Sequence, residues 1–237
     1  MAKRKVILVI VEGSSDDTAL HILFDKYFDK NTVYVDIIHG DITTQTKERE
    51  NIINKVVAEV KAYMANNSFR KTDFQEIIHI MDTDGAFIPD ANVIEDATVE
   101  NPLYSPTEIR TVRKRDIEKR NKVKSFNMNR LSSCKEMWGI KYSAYYMSCN
   151  LDHVLYNKLN LTDDEKSDNA FQFAKKYRND IQSFVKFITQ SDFAVVDGHN
   201  SSWKYIMKDL HSLERHSNLG LCFMPEQEEK SEETQYN

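Results

Sequence analysis

The chain has little of what marks several protein classes. Of its 237 residues only three are cysteines, Cys134, Cys149 and Cys222, and none forms a CxxC pair. This excludes a zinc ribbon and a small disulfide-stapled secreted domain, and it indicates a reducing compartment. The longest apolar run, 6–11, is far shorter than the roughly 18 residues that a membrane span needs and is too short for a signal-peptide core. We therefore expect a cytoplasmic protein without a membrane partner.

Basic residues do not dominate the chain either. The 32 lysines and arginines stand against 37 aspartates and glutamates, for a net charge of -5. This balance argues against a uniformly basic nucleic-acid coat protein but leaves room for a local basic face. Because 41% of the residues are hydrophobic, the length suffices to bury the core of one generous domain, or of a core domain with an appendage.

Glycine is scarce, at six residues, and three glycines follow β-rich runs. These runs predict strands buried on both faces; they are 5–11, 33–38 and 76–81, followed by Gly13, Gly40 and Gly85. Helical apolar spacing fills the gaps, over 16–28 with Ser14 or Ser15 as N-cap, and over about 47–65. This alternation predicts an α/β fold with a mostly parallel central sheet flanked by helices.

The second half of the chain predicts further elements in a looser order. An extended, proline-containing loop is expected first, then a basic helix, a fourth strand and mostly helices. The expected ranges are the loop 87–106, the helix 108–124, the strand 141–147, a helix from 151, a polar joint 162–168, helices near 170–190 and 201–215, a strand 219–224 and a disordered acidic tail 226–237.

Acidic side chains follow the first and third predicted strands. Glu12 directly follows the first strand, Asp16 lies four residues later, and Asp82 and Asp84 end the third. The crevice of an open α/β sheet lies outside the carboxyl ends of its strands, so these carboxylates converge if the two strands are neighbours. Their mutual repulsion raises their pKa values unless a cation neutralises them. Oxygen ligands of this kind suit Mg²⁺, with Mn²⁺ as a substitute, and Glu12 and Asp16 are spaced to share a second ion.

The pattern resembles the TOPRIM domain, the metal-binding module of topoisomerases, bacterial primases, 5S-rRNA-maturing ribonucleases and OLD-type nucleases. The residues that carry it are Glu12 with Gly13 after a hydrophobic strand, Gly40, and the pair Asp82 and Asp84. The resemblance covers about residues 4–88, and the strand at 142–147 continues it. It implies a TOPRIM-like Rossmannoid fold with Glu12 as metal ligand or general acid/base and the two aspartates as Mg²⁺ ligands.

OLD-type members add an acidic residue four positions beyond the glutamate for a second metal. Asp16 occupies that position here, with Asp17 as the fallback. The chain lacks the GxxxxGK[ST] motif of the OLD ATPase, a zinc cluster of the kind found in primases, and room for a DNA-gating topoisomerase domain. What remains is similar to stand-alone TOPRIM nucleases, the toxic components of bacterial phage-defence systems, some of which act beside a separate ATPase.

The segment from Arg110 to Lys124 has eight basic and two acidic residues, a net charge of +6. It leaves the same strand-end face as Asp82, so it is a candidate phosphate clamp, and the alternative is a solvated helix face. The nucleic-acid-binding candidates are Arg110, Arg113, Lys114, Arg115, Lys119 and Arg120. After the fourth strand, Asp152 or His153 provides a further ligand or proton carrier, or else caps the next helix.

These features predict a TOPRIM-like catalytic domain over 1–160 with an insertion at about 88–140, a helical C-terminal part over 161–225 packed on it, and the tail 226–237. The expected activity is metal-dependent hydrolysis of phosphodiester bonds in DNA or in a structured RNA such as tRNA. The alternative is a non-hydrolytic component that binds nucleic acid or nucleotide and works with a partner ATPase. Receiver-like and phosphatase-like sheets place their acidic residues in a different order. The oligomeric state stays open.

Overall fold

The computed structural model describes residues 5–28, 33–44 and 51–225. The strands are β1 (Lys5–Val11), β2 (Val33–His39), β3 (Phe74–Asp82), β4 (Val93–Glu95), β5 (Leu103–Tyr104), β6 (Ile109–Thr111), β7 (Glu136–Met137) and β8 (Ile140–Met147). The helices are α1 (Ser14–Tyr27), α2 (Ile52–Asn67), α3 (Lys114–Ser132), α4 (Leu151–Tyr156), α5 (Asp163–Tyr177), α6 (Ile181–Gln190) and α7 (His199–Ile206).

The central sheet has the strand order β2-β1-β3-β8-β7. Its first four strands run parallel, and the outermost strand β7 is antiparallel to its neighbour β8. Helices cover both faces, so the predicted α/β class with a mostly parallel sheet is confirmed and is compatible with a Rossmann-like fold. The predicted strands 5–11, 33–38, 76–81 and 141–147 are confirmed to within two residues at either end.

The alternation of side chains along β1 separates two hydrophobic cores. Ile7, Val9 and Val11 pack with α1, α4, α5 and α6 on one face of the sheet. The intervening residues of β1 pack with α2, α3 and α7 on the other face. Residues 6–11 of β1 are buried on both faces of the sheet and form an unbroken apolar run, as expected for a central parallel strand.

The insertion between β3 and β8 differs from its prediction. The expected loop 87–106 contains β4 and β5, which join β6 in a small second sheet of order β4-β6-β5. The expected helix from Glu108 starts later, as α3, because Ile109 and Thr111 are buried while Arg110 is exposed. That alternation has the period of a strand, and the helical spacing begins only after it.

The C-terminal part also needs correction. The expected joint 162–168 is the start of α5, where Thr162 forms a capping box with Glu165. The expected helix 201–215 ends early, at Ile206 in α7, and the expected strand 219–224 is a short 3-10 helix, Leu219–Phe223. Its buried residues are Leu219, Gly220 and Phe223, and two neighbours together with a pair three apart fit a 3-10 helix rather than strand alternation.

Two other predictions concern element ends. α1 begins at Ser14 with Gly13 as its N-cap, so neither Ser14 nor Ser15 caps it. α2 begins at Ile52, and the expected start at about 47 lies outside the described residues, as does the acidic tail 226–237. The division into a catalytic domain and a C-terminal part stays a prediction.

Candidate functional site

The two acidic motifs meet where the parallel strands of the central sheet end, on their carboxyl side, which we call the sheet edge. β1 and β3 are neighbours in parallel register, so Glu12 and Asp82 lie at adjacent strand ends. The backbone N–H of Asp82 donates to Oε1 of Glu12 at 3.2 Å. The predicted convergence of the carboxylates required β1 and β3 to be neighbours, and they are.

A buried lysine from the insertion lies among these carboxylates. The Nζ atom of Lys124, on α3, donates to Oε1 and Oε2 of Glu12 at 3.2 and 3.1 Å and also to Oδ2 of Asp84. The Lys124 side chain is fully buried, whereas those of Glu12 and Asp84 are 12% and 25% exposed. One ammonium group therefore bridges the two acidic motifs.

The turn after β3 holds Asp84 in an unusual conformation. Asp84 and Gly85 have φ of 48° and 66°, in the left-handed region that side chains rarely adopt. A Cβ on Gly85 would lie 2.6 Å from the Leu213 side chain, so this position favours glycine. The Asp84 N–H donates to the Cys149 carbonyl at 2.7 Å, and this bond anchors the turn to the end of β8.

Burial raises the pKa values of three of the predicted ligands, Glu12, Asp82 and Asp16. It raises the pKa of Glu12 to about 8, opposed by Lys124 and reinforced by Asp84. It also raises the pKa of Asp82 well above its ordinary value, with Asp16 and Glu12 adding repulsion. Burial alone would lower the pKa of Lys124, but Asp84 and Glu12 outweigh it and raise that pKa. Negative charge is therefore crowded here, and Lys124 stays protonated at neutral pH.

Asp16 and Asp17 have separate environments although they are neighbours in α1. Asp16 is buried, and its Oδ2 accepts from the Gly13 N–H at 2.8 Å. Burial raises the pKa of Asp16 to about 6, with Asp152 adding repulsion. Asp17 pairs instead with His21, one helical turn further along α1, at 3.0 Å. The structure thus brings Asp16, and not the fallback Asp17, beside the acidic cluster.

Asp152 and His153 lie in the first turn of α4, and both are buried. The cap of that helix is Asn150, whose side chain accepts from the His153 N–H at 2.9 Å. Within the described part of the chain, Asp152 Oδ1 and His153 Nδ1 have no hydrogen-bond partner. Burial raises the pKa of Asp152 and lowers that of His153 to about 4. Asp152 lies near enough to Asp16 for the two carboxylates to repel each other, which links Asp152 to the site.

The predicted basic segment divides into outward and inward residues. Arg110 pairs with Glu108 and Asp96 at the surface, and Lys114 with Glu118. Of the other candidates, Arg113, Arg115 and Lys119 are exposed.

Arg120 faces inward and is not part of an exposed clamp. It donates to the Asp84 carbonyl at 2.7 Å and to the Tyr104 hydroxyl at 2.6 Å. It therefore helps to hold the turn that carries Asp84.

The sequence interpretation missed three residues of the site. Lys124 was counted only as part of the basic segment, yet it shares a helix face with Ile117, Met128 and Leu131, which is a sign of burial. Asp41 and Thr43 follow β2 at the same sheet edge, and Thr43 Oγ1 donates to Glu12 Oε1 at 3.4 Å. Asp41 directly follows Gly40, so the rule that located Glu12 also applied to it.

The predicted ligand atoms of the site are of a chemical type that binds divalent cations. Glu12, Asp16, Asp82 and Asp84 offer carboxylate oxygens, which Mg²⁺ and Mn²⁺ prefer. As they stand, however, the described residues contain no group of three or more His, Cys, Asp or Glu side chains placed to hold a metal ion. The ammonium of Lys124 lies between two of the expected ligands.

No family model, curated protein or solved structure matches this chain. Among the described helices, none is both long and apolar enough to cross a membrane. The assignment of a function therefore depends on the site itself.

Proposed function

We propose that this chain is a nuclease that hydrolyses phosphodiester bonds of DNA or structured RNA, with Mg²⁺, or Mn²⁺ in its place, as cofactor. The observation that supports this best is the convergence of Glu12, Asp82 and Asp84 at the carboxyl ends of two adjacent parallel strands. Their order along the chain is that of the TOPRIM resemblance. In this proposal the protein works in the cytoplasm as the toxic component of a phage-defence system.

The residues have distinct parts in this proposal. Glu12, Asp82 and Asp84 are the metal-binding and catalytic candidates, and Asp16 stands beside them for a second ion. A bound divalent cation supplies Lewis-acid polarisation of the phosphate and activation of water. In the metal-free protein burial raises the pKa of Glu12 to about 8, and a bound cation would lower that pKa again, because a carboxylate must be deprotonated to act as a metal ligand. The exposed residues Arg113, Arg115 and Lys119 contact phosphates of the substrate.

A second candidate function is a non-hydrolytic component that binds nucleic acid or nucleotide beside a partner ATPase. The contact of Lys124 with Glu12 and Asp84 favours it, because a protein ammonium already pairs with both carboxylates. In that case the site binds its ligand, and activity belongs to the partner.

Cleavage assays separate the two candidates. Purified protein is incubated with supercoiled plasmid, single-stranded DNA and total tRNA, each with Mg²⁺, Mn²⁺ or EDTA. We expect metal-dependent cleavage of at least one substrate, lost in Glu12→Gln and in Asp82→Asn. The matched control is Glu59→Gln, an exposed carboxylate on α2, which keeps the wild-type rate.

Two results would count against the nuclease. Cleavage that survives both Glu12→Gln and Asp82→Asn would remove these residues from the catalytic role. Metal-dependent binding of a nucleic acid without any cleavage would favour the non-hydrolytic component.

A further inference from the structure

Lys124 is unusual among lysines because it lies in the interior of the protein. Its side chain is fully buried, and lysines are almost never fully buried unless they are paired. Its partners are the two carboxylates that the sequence assigns to metal binding, Glu12 and Asp84. The ammonium therefore uses the oxygens that a divalent cation at this place also needs.

The helix that carries Lys124 is fixed on both sides of the site. Asn127 donates from Nδ2 to the Thr43 carbonyl at 2.8 Å, next to the end of β2. Arg120 donates to the Asp84 carbonyl at 2.7 Å, after β3. Since polar contacts hold α3 on either side of Lys124, the backbone presents the ammonium to the carboxylates, and only its flexible stem is free to withdraw.

We propose that Lys124 is the resident counterion of the acidic site and that a divalent cation binds only where the ammonium withdraws from Glu12 and Asp84. This inference rests on the proposed function, because it takes the same carboxylates as metal ligands. Two positive charges a few ångströms apart in a buried site repel strongly, since little water screens them. Lys124 thus weakens metal binding while it stabilises the metal-free protein.

The test is a calorimetric titration of Mn²⁺ into protein free of nucleic acid. Lys124→Met keeps the length of the side chain and removes its charge. We expect this variant to bind Mn²⁺ at least tenfold more tightly than the wild type. The matched control is Lys122→Met, an exposed lysine on the same helix paired with Asp90, which keeps the wild-type affinity. Equal or weaker Mn²⁺ binding by a folded Lys124→Met protein would overturn the proposal.

A measurement on the wild type covers the case in which Lys124→Met does not fold. Acetic anhydride is applied with and without Mn²⁺, and labelling of the Lys124 amine is read by mass spectrometry. We expect labelling to increase several-fold when Mn²⁺ is bound, while labelling of Lys122 stays constant. Unchanged labelling of Lys124 at saturating Mn²⁺ would overturn the competition.

The outcomes distinguish this inference from the nuclease itself. Metal-dependent cleavage by the wild type, with Mn²⁺ affinity equal in the wild type and in Lys124→Met, removes only the role of Lys124. Failure of both proteins to bind Mn²⁺, together with no cleavage, removes the proposed function as well.

Discussion

The edge of the central sheet and the insertion between β3 and β8 supply opposite charges to the same site. The sheet edge provides Glu12, Asp82 and Asp84, each placed by a strand end. The insertion provides Lys124 and Arg120, both from α3 and both directed at groups of that edge. The difference teaches that the acidic residues are brought together by the ends of neighbouring parallel strands, whereas their ammonium partner is supplied by the packing of α3 against those ends.

The largest expected effect comes from removing the positive partner. Lys124→Met leaves Glu12 and Asp84 without their counterion, and breaking a buried ion pair costs about 3–5 kcal/mol. We expect a loss of this size in the free energy of unfolding, measured by urea denaturation without divalent ions. Lys122→Met, whose ion pair lies at the surface, is expected to lose at most about 1 kcal/mol. Equal losses in the two variants would show that α3 does not neutralise the sheet edge.

The pH dependence of stability tests the sheet edge itself. The pKa of Glu12 rises from 4.5 in the unfolded chain to about 8 in the folded protein, so the folded state binds the proton more tightly. Stability from this group is fully present below pH 4.5 and is lost as pH rises towards about 8. In Glu12→Gln that loss is absent. The difference in unfolding free energy between wild type and variant changes by at most about 1.4 kcal/mol per pH unit. A difference that stays constant with pH contradicts the shift.

A smaller effect is expected where the two regions touch through neutral groups. Asn127→Ala removes the hydrogen bond from α3 to the carbonyl of the buried residue Thr43. The expected loss is about 1–3 kcal/mol in urea denaturation. Asn129→Ala, at an exposed position of the same helix, is the control and is expected to stay within about 0.5 kcal/mol.

The smallest effect on stability is expected at the outer face of α3. Arg115→Gln with Lys119→Gln changes two exposed residues, so the unfolding free energy should stay within about 0.5 kcal/mol. Nucleic-acid binding should nevertheless weaken, and the slope of log K against log salt should become shallower by about 0.9 for each lost phosphate contact. Fluorescence anisotropy at several salt concentrations measures both. An unchanged slope would assign these residues to a solvated face.

The sheet and its acidic edge were predictable because they depend on local patterns. Unbroken apolar runs mark the buried parallel strands, and the residues after them, such as Glu12 and Asp82, follow from the rule for strand ends. The insertion was predicted less well. Its strands are two or three residues long, too short for periodicity to distinguish from a loop. The pairing of Lys124 with Glu12 joins residues 112 apart, and it depends on how α3 packs, which its charge pattern does not reveal.

The turn after β3 also depends on residues much further along the chain. The Thr83 hydroxyl donates to the Ser212 carbonyl, 129 residues further along, at 2.7 Å. The N–H groups of Cys149 and Ser148 donate to the carbonyls of Ser212 and His216. A nascent chain that ends before Ser212 therefore lacks the groups that hold the ends of β3 and β8. We therefore expect the turn that carries Asp84 to be held in place only when residues 212–216 are present.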